Sequence, residues 1–297
     1  MRRTSGWRRA LATGLLALGA AACGPTPTVH RRRPSPAPKP LLIIPAPAGM
    51  VDGTTPATNG LMWVLAGTGP ERTLRQIDVA SRSDQGAVPA PSSAVAVAES
   101  VTGQLGVGLA TGRTGALEIR NGTTGALQAT VPVADPVRAV AAGTNGTTFY
   151  VLQGTATAAS VATVDLPADR VEGVVPVPLL AVAAIPNPGQ YALWVLQANG
   201  VVSEVALASG KITTQFSIGD SGRAVALSPD GSTLYVLKGR GAVRNVAVVA
   251  LATESVIHVL PASANALDVV LSPDGGTVYD LVGTSTLGNI QAFRLSR

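Results

Sequence analysis

The chain has 297 residues, of which 46% are hydrophobic, 3% aromatic and 13% charged, so it can form one large domain or two small ones. Eight of the 22 basic residues lie before residue 41, whereas all 17 acidic residues follow it. The net charge of +5 therefore belongs to the N-terminal segment. The rest of the chain is mildly acidic and has no basic stripe, which argues against a nucleic-acid partner.

The first 22 residues have the pattern of an export signal. Basic residues precede an apolar run from Ala10 to Ala22 that ends in small side chains, as signal peptides do. The run is too short to span a bilayer, which needs about 20 residues. We expect residues 1–22 to be a signal peptide and the protein to be exported.

Cys23 is the only cysteine of the chain and lies where this signal would be cut. The stretch "LGAAAC" resembles a bacterial lipobox, in which small residues precede a cysteine that receives lipid, although Ala20 replaces the usual leucine. This resemblance implies attachment to the membrane through lipid on Cys23, at the extracytoplasmic face of the cell envelope. The alternative is plain cleavage after Ala22, which would leave Cys23 as an incidental thiol.

Residues 23–40 read as a linker. The stretch "GPTPTVHRRRPSPAPKP" (24–40) is dense in proline, which resists helix and sheet and favours an extended polyproline conformation. Such a segment acts as a semi-rigid spacer. Its arginines at 31–33 either contact anionic lipid headgroups or are solvated linker charge.

One stretch of the chain occurs twice at an interval of 44 residues: "SPDGSTLYVL" (228–237) returns as "SPDGGTVYDL" (272–281). The second half of this pattern recurs at intervals of 41–44 residues and contains an aromatic column that one glycine interrupts. The column is Trp63, Gly106, Tyr150, Trp194, Tyr235 and Tyr279. A fixed period of this length indicates a repeat architecture.

Each repeat contains four segments with strand patterns, the first of them a small apolar run such as "AVALS" (224–228). Four strands in about 43 residues correspond to one blade of a β-propeller. We therefore predict an all-β chain that forms one six-bladed propeller over residues 41–297. The last repeat lacks a fourth strand, so "LLII" (41–44) is expected to pair with the strand that contains Ile290 and Phe293, which would close the ring. The first inner strand, near 48–57, fits the pattern least.

The repeats "AVALSPDGSTLYVL" and "DVVLSPDGGTVYDL", with the strand ends "QIDVAS" and "TVDLPA", resemble the YVTN family of β-propeller repeats. The match covers residues 41–297, is specific in the last two full repeats and is degenerate in the first four. The resemblance implies a propeller outside the cytoplasm. It carries over no catalytic residue, because the matched positions are structural.

Few residues of the predicted propeller suit catalysis or metal binding. After residue 40 there is no cysteine and a single histidine, His258, so neither a histidine-based metal site nor a Ser-His-Asp triad is expected. His258 falls on a predicted outer strand and reads as a surface residue. Recurrent aspartates at strand ends and turns are predicted to hydrogen-bond their own turns: Asp78, Asp165, Asp230 and Asp274. We expect no catalytic residue, no metal and no cofactor.

Charged residues recur at the starts of the predicted inner strands, which should surround one mouth of the central channel. Asp135 precedes Arg138 and Asp220 precedes Arg223 by three residues, and Asp268 begins the sixth inner strand. Either the two arginines together hold an anionic group, or each pairs with its own aspartate. Further arginines between second and third strands are expected to rim the same face: Arg72, Arg75, Arg240 and Arg244.

Three functions are compatible with these features. The first is a surface-anchored, non-catalytic binding or scaffold module with a protein or another envelope component as its partner. The second is a hydrolase such as a lactonase, because related propellers include such enzymes, but the expected cluster of acids and histidine is absent from the sequence. The third is an accessory subunit of an envelope redox or transport system. Fold alone does not choose between them.

Overall fold

A computed structural model of the chain describes residues 40–189 and 191–295. The predicted signal peptide, Cys23 and nearly all of the predicted linker lie outside the described residues. Within them the chain forms 24 β-strands and one short 3-10 turn at Gly69–Glu71. The described residues contain no helix long and apolar enough to cross a membrane.

The strands form six antiparallel four-stranded sheets, and each sheet is one blade. Blade 1 comprises β2 Met50–Gly53, β3 Leu61–Ala66, β4 Thr73–Asp78 and β5 Ser83–Pro89. Blade 2 comprises β6 Ala94–Glu99, β7 Gln104–Thr111, β8 Thr114–Asn121 and β9 Leu127–Val133. Blade 3 comprises β10 Val137–Ala142, β11 Thr148–Gly154, β12 Ala159–Asp165 and β13 Arg170–Pro176. Blade 4 comprises β14 Ala181–Pro186, β15 Ala192–Gln197, β16 Val201–Ala206 and β17 Ile212–Ser217. Blade 5 comprises β18 Gly222–Leu227, β19 Thr233–Arg240, β20 Val243–Ala250 and β21 Ser255–Pro261. Blade 6 comprises β22 Ala266–Leu271, β23 Thr277–Gly283, β24 Gly288–Arg294 and the N-terminal strand β1 Leu42–Pro45. The predicted six-bladed propeller is confirmed.

The predicted closure of the ring is confirmed as well. Strand β1 pairs antiparallel with β24, so that Leu42 lies opposite Ala292 and Ile44 opposite Ile290. Ile44 is fully buried whereas Ile43 is 54% exposed, because successive side chains of a strand point to opposite faces. The N-terminal strand thus completes the last blade and covers the free edge of β24.

The core lies between blades rather than within one central mass. The first strand of each blade contacts the first strand of the next, and β2 contacts β22, which makes these six inner strands a closed ring. Six apolar clusters fill the junctions between consecutive blades, and the cluster that contains Ile44 fills the junction between blades 6 and 1. Each blade is therefore stabilised mainly by its two neighbours, as in other repeat proteins.

The glycine that interrupts the aromatic column has a packing reason. A side chain at Gly106 would lie 3.0 Å from the ring of Phe149, which enters from blade 3 and is fully buried. Phe149 therefore fills the junction between blades 2 and 3 that an aromatic residue at position 106 would otherwise occupy. One large ring replaces another, so the density of the core is kept.

The repeated Ser-Pro-Asp-Gly stretch forms the same turn in blades 5 and 6. Ser228 Oγ donates to Asp230 Oδ1 at 2.6 Å and accepts from the Thr233 N–H at 2.9 Å. In blade 6, Ser272 Oγ donates to Asp274 Oδ1 and accepts from the Thr277 N–H at 2.9 Å. The predicted turn role of these aspartates is confirmed.

Candidate functional site: the charged mouth of the central channel

A cavity of about 760 Å³ occupies the centre of the propeller. Residues of all six inner strands line it, from Arg138 and Arg223 near the starts of the strands to Thr144 and Ser100 beyond their ends. Alanine and valine are the commonest residues of the wall. Against this apolar wall, the few charged side chains determine which ligand the channel can hold.

Every inner strand carries a β-bulge at its second residue, because its pairing with the second strand skips that residue. The bulged residues are Val51, Val95, Arg138, Val182, Arg223 and Leu267, and the residues that follow them are Asp52, Ala96, Ala139, Ala183, Ala224 and Asp268. A bulge redirects side chains locally. Arg138 and Arg223 are therefore structurally equivalent to each other, and so are Asp52 and Asp268.

Asp52 and Asp268 come from adjacent blades and their carboxyl groups are in hydrogen-bonding contact. Asp52 Oδ2 also accepts from the Val97 N–H of blade 2 at 2.7 Å, and Asp268 Oδ1 accepts from the Val269 N–H at 2.8 Å. Burial raises the pKa of both carboxyls, and the charge of Asp52 raises the pKa of Asp268 further. The pair therefore retains one shared proton at a pH at which a solvated aspartate has none.

Arg138 and Arg223 face the same cavity from blades 3 and 5, but they have different surroundings. Arg138 donates to backbone carbonyl groups, from Nη2 to Thr155 O at 2.6 Å and from Nη1 to Ala181 O at 3.2 Å. Arg223 is exposed to the channel and makes no hydrogen bond or ion pair with the described part of the chain. Arg223 therefore has all its donors free, whereas Arg138 is partly engaged in joining blade 3 to blade 4.

Neither arginine pairs with the aspartate that precedes it. The ion pairs among the described residues are Arg75 with Asp84 and Arg120 with Glu118. Asp135 is not among the residues that line the cavity, and its backbone N–H donates to Gln153 Oε1. The exposed Asp220 accepts from the Ser221 N–H. The sequence left open whether the two arginines hold an anionic group together or each pairs with its own aspartate. The structure contains neither of the two local Asp–Arg pairs.

Behind the channel wall, a third carboxyl group occupies a core position. Asp280 on β23 stands where the other five blades carry a buried valine: Val64, Val107, Val151, Val195 and Val236. It is 1% exposed, its Oδ2 accepts from the Ser263 N–H at 2.8 Å, and its Oδ1 has no partner. Burial raises its pKa to about 6, and the charge of Asp268 contributes to the shift.

Two of the predicted rim arginines point into blade junctions. Arg72 Nη1 donates to Ala94 O and Arg244 Nη1 to Ala266 O, and each acceptor is the first residue of the next inner strand. Each arginine follows a glycine of positive φ by five residues, Gly67 and Gly239, where a Cβ would lie within 2.4 Å of a backbone oxygen. Burial lowers the pKa of both guanidinium groups. Their donors join consecutive blades instead of forming an open basic rim.

The other two rim arginines lie away from the cavity wall. Arg75 forms its ion pair with Asp84 at 2.6 Å, between β4 and β5 on the outer part of blade 1, and both side chains are about one-third exposed. Arg240 is exposed at the end of β19. Of the nine charged residues predicted for this face, the structure brings Arg138, Arg223 and Asp268 together on the channel wall.

At the opposite end of the channel, Glu99 closes strand β6 and lines the cavity. Burial raises its pKa to about 7, and it has no hydrogen-bond partner among the described residues. His258 lies on the exposed outer strand β21, as predicted. In residues 40–189 and 191–295 no group of three or more histidine, cysteine, aspartate or glutamate side chains is placed to hold a metal ion.

Sequence reasoning missed Asp52 and Asp280, although both left a signal. Asp280 interrupts the valine column in "VYDLVG", where the corresponding blade 5 stretch reads "LYVLKG". Asp52 was obscured because the first inner strand matches the repeat poorly. Aligning the bulges, which the sequence does not mark, is what makes Asp52 the counterpart of Asp268.

Comparisons with known proteins support the fold alone. No protein-family model matches the chain, and no curated protein matches it in sequence. Among solved structures, hydrazine synthase of Kuenenia stuttgartiensis superposes with a TM-score of 0.62 and 15% identity, over 80% of this chain and 75% of that chain. An identity this low shows a shared propeller architecture and carries no activity from one protein to the other.

Proposed function

We propose that the protein is a lipid-anchored, non-catalytic binding module of the cell envelope, with repeats of the YVTN kind. The observation that supports it most strongly is the channel, a cavity of about 760 Å³ whose mouth carries charged side chains that form no ion pairs with one another. Unpaired charge at a partly desolvated site is costly unless a ligand neutralises it. The propeller is thus a rigid ring that presents one charged, concave site to a ligand or partner.

The proposed anchoring rests on the sequence around Cys23, which lies outside the described residues. The small residues before Cys23 suit signal cleavage and lipid transfer, and residues 24–40 would act as a spacer. Lipid on this cysteine would hold the propeller at the extracytoplasmic face, where a protein or another envelope component is its partner.

The experiment that tests anchoring compares the full-length protein with Cys23→Ala in a bacterial host fed an alkyne-labelled fatty acid. We expect the unaltered protein in the membrane fraction with label attached, and Cys23→Ala released into the soluble fraction without label. Arg240→Gln serves as the control, because Arg240 is exposed and distant from the N-terminus in sequence. Cys23→Ala that remains in the membrane fraction after signal cleavage would contradict the proposed anchor.

The site also supports a second candidate, a hydrolase of the lactonase kind. Its basis is the Asp52–Asp268 pair, because two carboxyls that share a proton can serve as acid and base. A panel of lactones incubated with the protein and with Asp268→Asn distinguishes the two functions. Turnover that Asp268→Asn abolishes would favour the hydrolase, and binding without turnover favours the module. The third candidate, an accessory subunit of an envelope redox or transport system, would appear as co-purification with a membrane complex.

A further inference from the structure

The charges at the channel mouth come from four of the six blades. Asp52 and Asp268 lie in the adjacent blades 1 and 6, and Arg138 and Arg223 lie in blades 3 and 5. In a closed ring of six, blade 3 is opposite blade 6, whereas blade 5 is next to blade 6. The equivalent positions in blades 2 and 4 are the apolar residues Val95, Ala96, Val182 and Ala183. The mouth therefore has an acidic side, formed by Asp52 and Asp268, and a basic side, formed by Arg223 in the blade next to Asp268 and by Arg138 across the channel from Asp268.

The acidic side is incomplete without a cation. Asp52 accepts the Val97 N–H and Asp268 the Val269 N–H, the Gly53 N–H interacts with both carboxyls, and the two carboxyls contact each other. Two carboxylates in contact repel each other unless a proton or another cation lies between them. Both residues are only half-buried and line the cavity, so a cationic group that enters the channel can replace the shared proton.

The basic side is incomplete without an anion. Arg223 is exposed to the cavity and has no partner among the described residues, so its planar guanidinium group can bind a carboxylate or phosphate with two hydrogen bonds. Arg138 has its terminal nitrogens on carbonyl groups, so it contributes mainly charge. Neither arginine forms an ion pair with Asp52 or Asp268. The two sides therefore do not neutralise each other directly.

We propose that the channel mouth binds a small organic zwitterion, which places its ammonium group on Asp52 and Asp268 and its anionic group on Arg223. This inference rests on the proposed binding function and specifies the ligand class for the same site. One molecule with both charges satisfies both sides of the mouth, and its carbon chain lies along the alanine and valine wall. An ion with one charge satisfies one side and leaves the other unpaired.

The test uses the full chain and calorimetric titration with a series of ω-amino acids: glycine, 4-aminobutanoate, 6-aminohexanoate and 8-aminooctanoate. The series acts as a ruler for the separation of the two charged sides. Hexylamine and hexanoate are single-charge controls, and CaCl₂ tests a metal ion at the carboxyl pair. We expect at least one zwitterion to bind roughly tenfold or more tightly than either single-charge compound, which corresponds to about 1.4 kcal/mol.

The variants Asp268→Asn and Arg223→Gln remove one charge from each side with little change in volume. We expect each to weaken binding of the preferred zwitterion about tenfold. Arg240→Gln, a matched change at an exposed arginine outside the cavity, should leave binding unchanged. Equal weakening by Arg240→Gln would overturn the proposal.

Three other outcomes overturn the ligand class. They are binding of hexylamine or hexanoate as tightly as every zwitterion, binding of Ca²⁺ alone that Asp268→Asn abolishes while no zwitterion binds, and no binding by any probe. The wider binding function is judged separately, by crosslinking the full-length protein in intact cells. A specific crosslinked partner would support the binding function even if no zwitterion binds. If neither a crosslinked partner nor zwitterion binding is found, the proposed binding function is contradicted.

Discussion

Blades 5 and 6 are the two most similar repeats in sequence, and they differ where the channel acquires its charge. Their Ser-Pro-Asp-Gly turns make the same hydrogen bonds around Ser228 and Ser272. Yet blade 5 has Ala224 and Val236 where blade 6 has Asp268 and Asp280. The repeated motif therefore specifies the blade, and departures from it mark the site.

A second difference concerns how the two blades are built. Blade 5 takes all four strands from one continuous stretch, whereas blade 6 receives its outer strand β1 from the other end of the propeller sequence. The polar substitutions in blade 6 thus lie in the blade that also closes the ring. Three experiments separate what the two blades share from what distinguishes them.

The largest effect is expected from deletion of residues 41–44, which removes most of β1 from blade 6 and leaves blade 5 intact. Ile44 is fully buried in the junction between blades 6 and 1, and its truncation alone is expected to cost about 2–5 kcal/mol. Deletion also exposes the edge of β24. We expect a sharply lower Tm and aggregation, followed by calorimetry and light scattering.

Two controls accompany this deletion. Removal of residues 24–38 should leave the Tm almost unchanged, and Ile43→Ala, at a position 54% exposed, should change stability by less than about 0.5 kcal/mol. Equal Tm values for the two deletions would show that β1 does not stabilise the ring.

Exchanging the side chains at positions 236 and 280 tests the main difference between the cores of blades 5 and 6. Val236→Asp places an unpaired carboxyl in the blade 5 core and should cost several kcal/mol. Asp280→Val removes a buried carboxyl whose Oδ1 has no partner, although the Ser263 N–H loses its acceptor. We expect a net gain of roughly 1 kcal/mol at pH 7.5, measured by urea unfolding. A loss of stability in Asp280→Val would mean that this carboxyl stabilises the fold.

The smallest effect is a pH dependence that blade 6 has and blade 5 lacks. Burial raises the pKa of Asp280 from 3.8 to about 6, so between these values the folded protein holds a proton that the unfolded chain has released. The free energy of unfolding should therefore fall as pH rises through this window, by up to about 1.4 kcal/mol per pKa unit. Asp52, Asp268 and Glu99 act in the same direction, because burial raises their pKa as well.

The measurement is the Tm at pH 5.0 and pH 7.5. We expect a higher Tm at pH 5.0 for the unaltered protein and a smaller difference for Asp280→Val. The turn aspartates Asp78 and Asp230 do not interfere, because hydrogen bonds lower their pKa below 3.8. A Tm difference that Asp280→Val leaves unchanged would assign the effect to the other carboxyls.

The sequence predicted the fold well because the fold depends on what is repeated. A period near 44 residues, the aromatic column and the spare strand at 41–44 determined the blade count and the closure, since strand patterns and turn residues are local signals. The channel charges were only partly predictable. Arg138, Arg223 and Asp268 could be placed near the starts of inner strands, although Asp268 is the third residue of β22 and not the first as predicted. The inward turn of Arg72 and Arg244 was not predictable, because it depends on contacts between blades.

Closure of the ring by β1 and β24 also governs the order in which the protein can fold. Leu42 and Ala292 face each other, although they lie at opposite ends of the propeller sequence. Contacts between residues so distant in sequence form slowly, because the entropy of the intervening chain is lost before the contact contributes its favourable free energy. Blades 1 to 5 can assemble progressively from neighbouring repeats, whereas blade 6 has to wait for both ends of the sequence to meet. Until then β24 presents an open edge, so the interval before closure is when the chain is most exposed to pairing with another copy of itself.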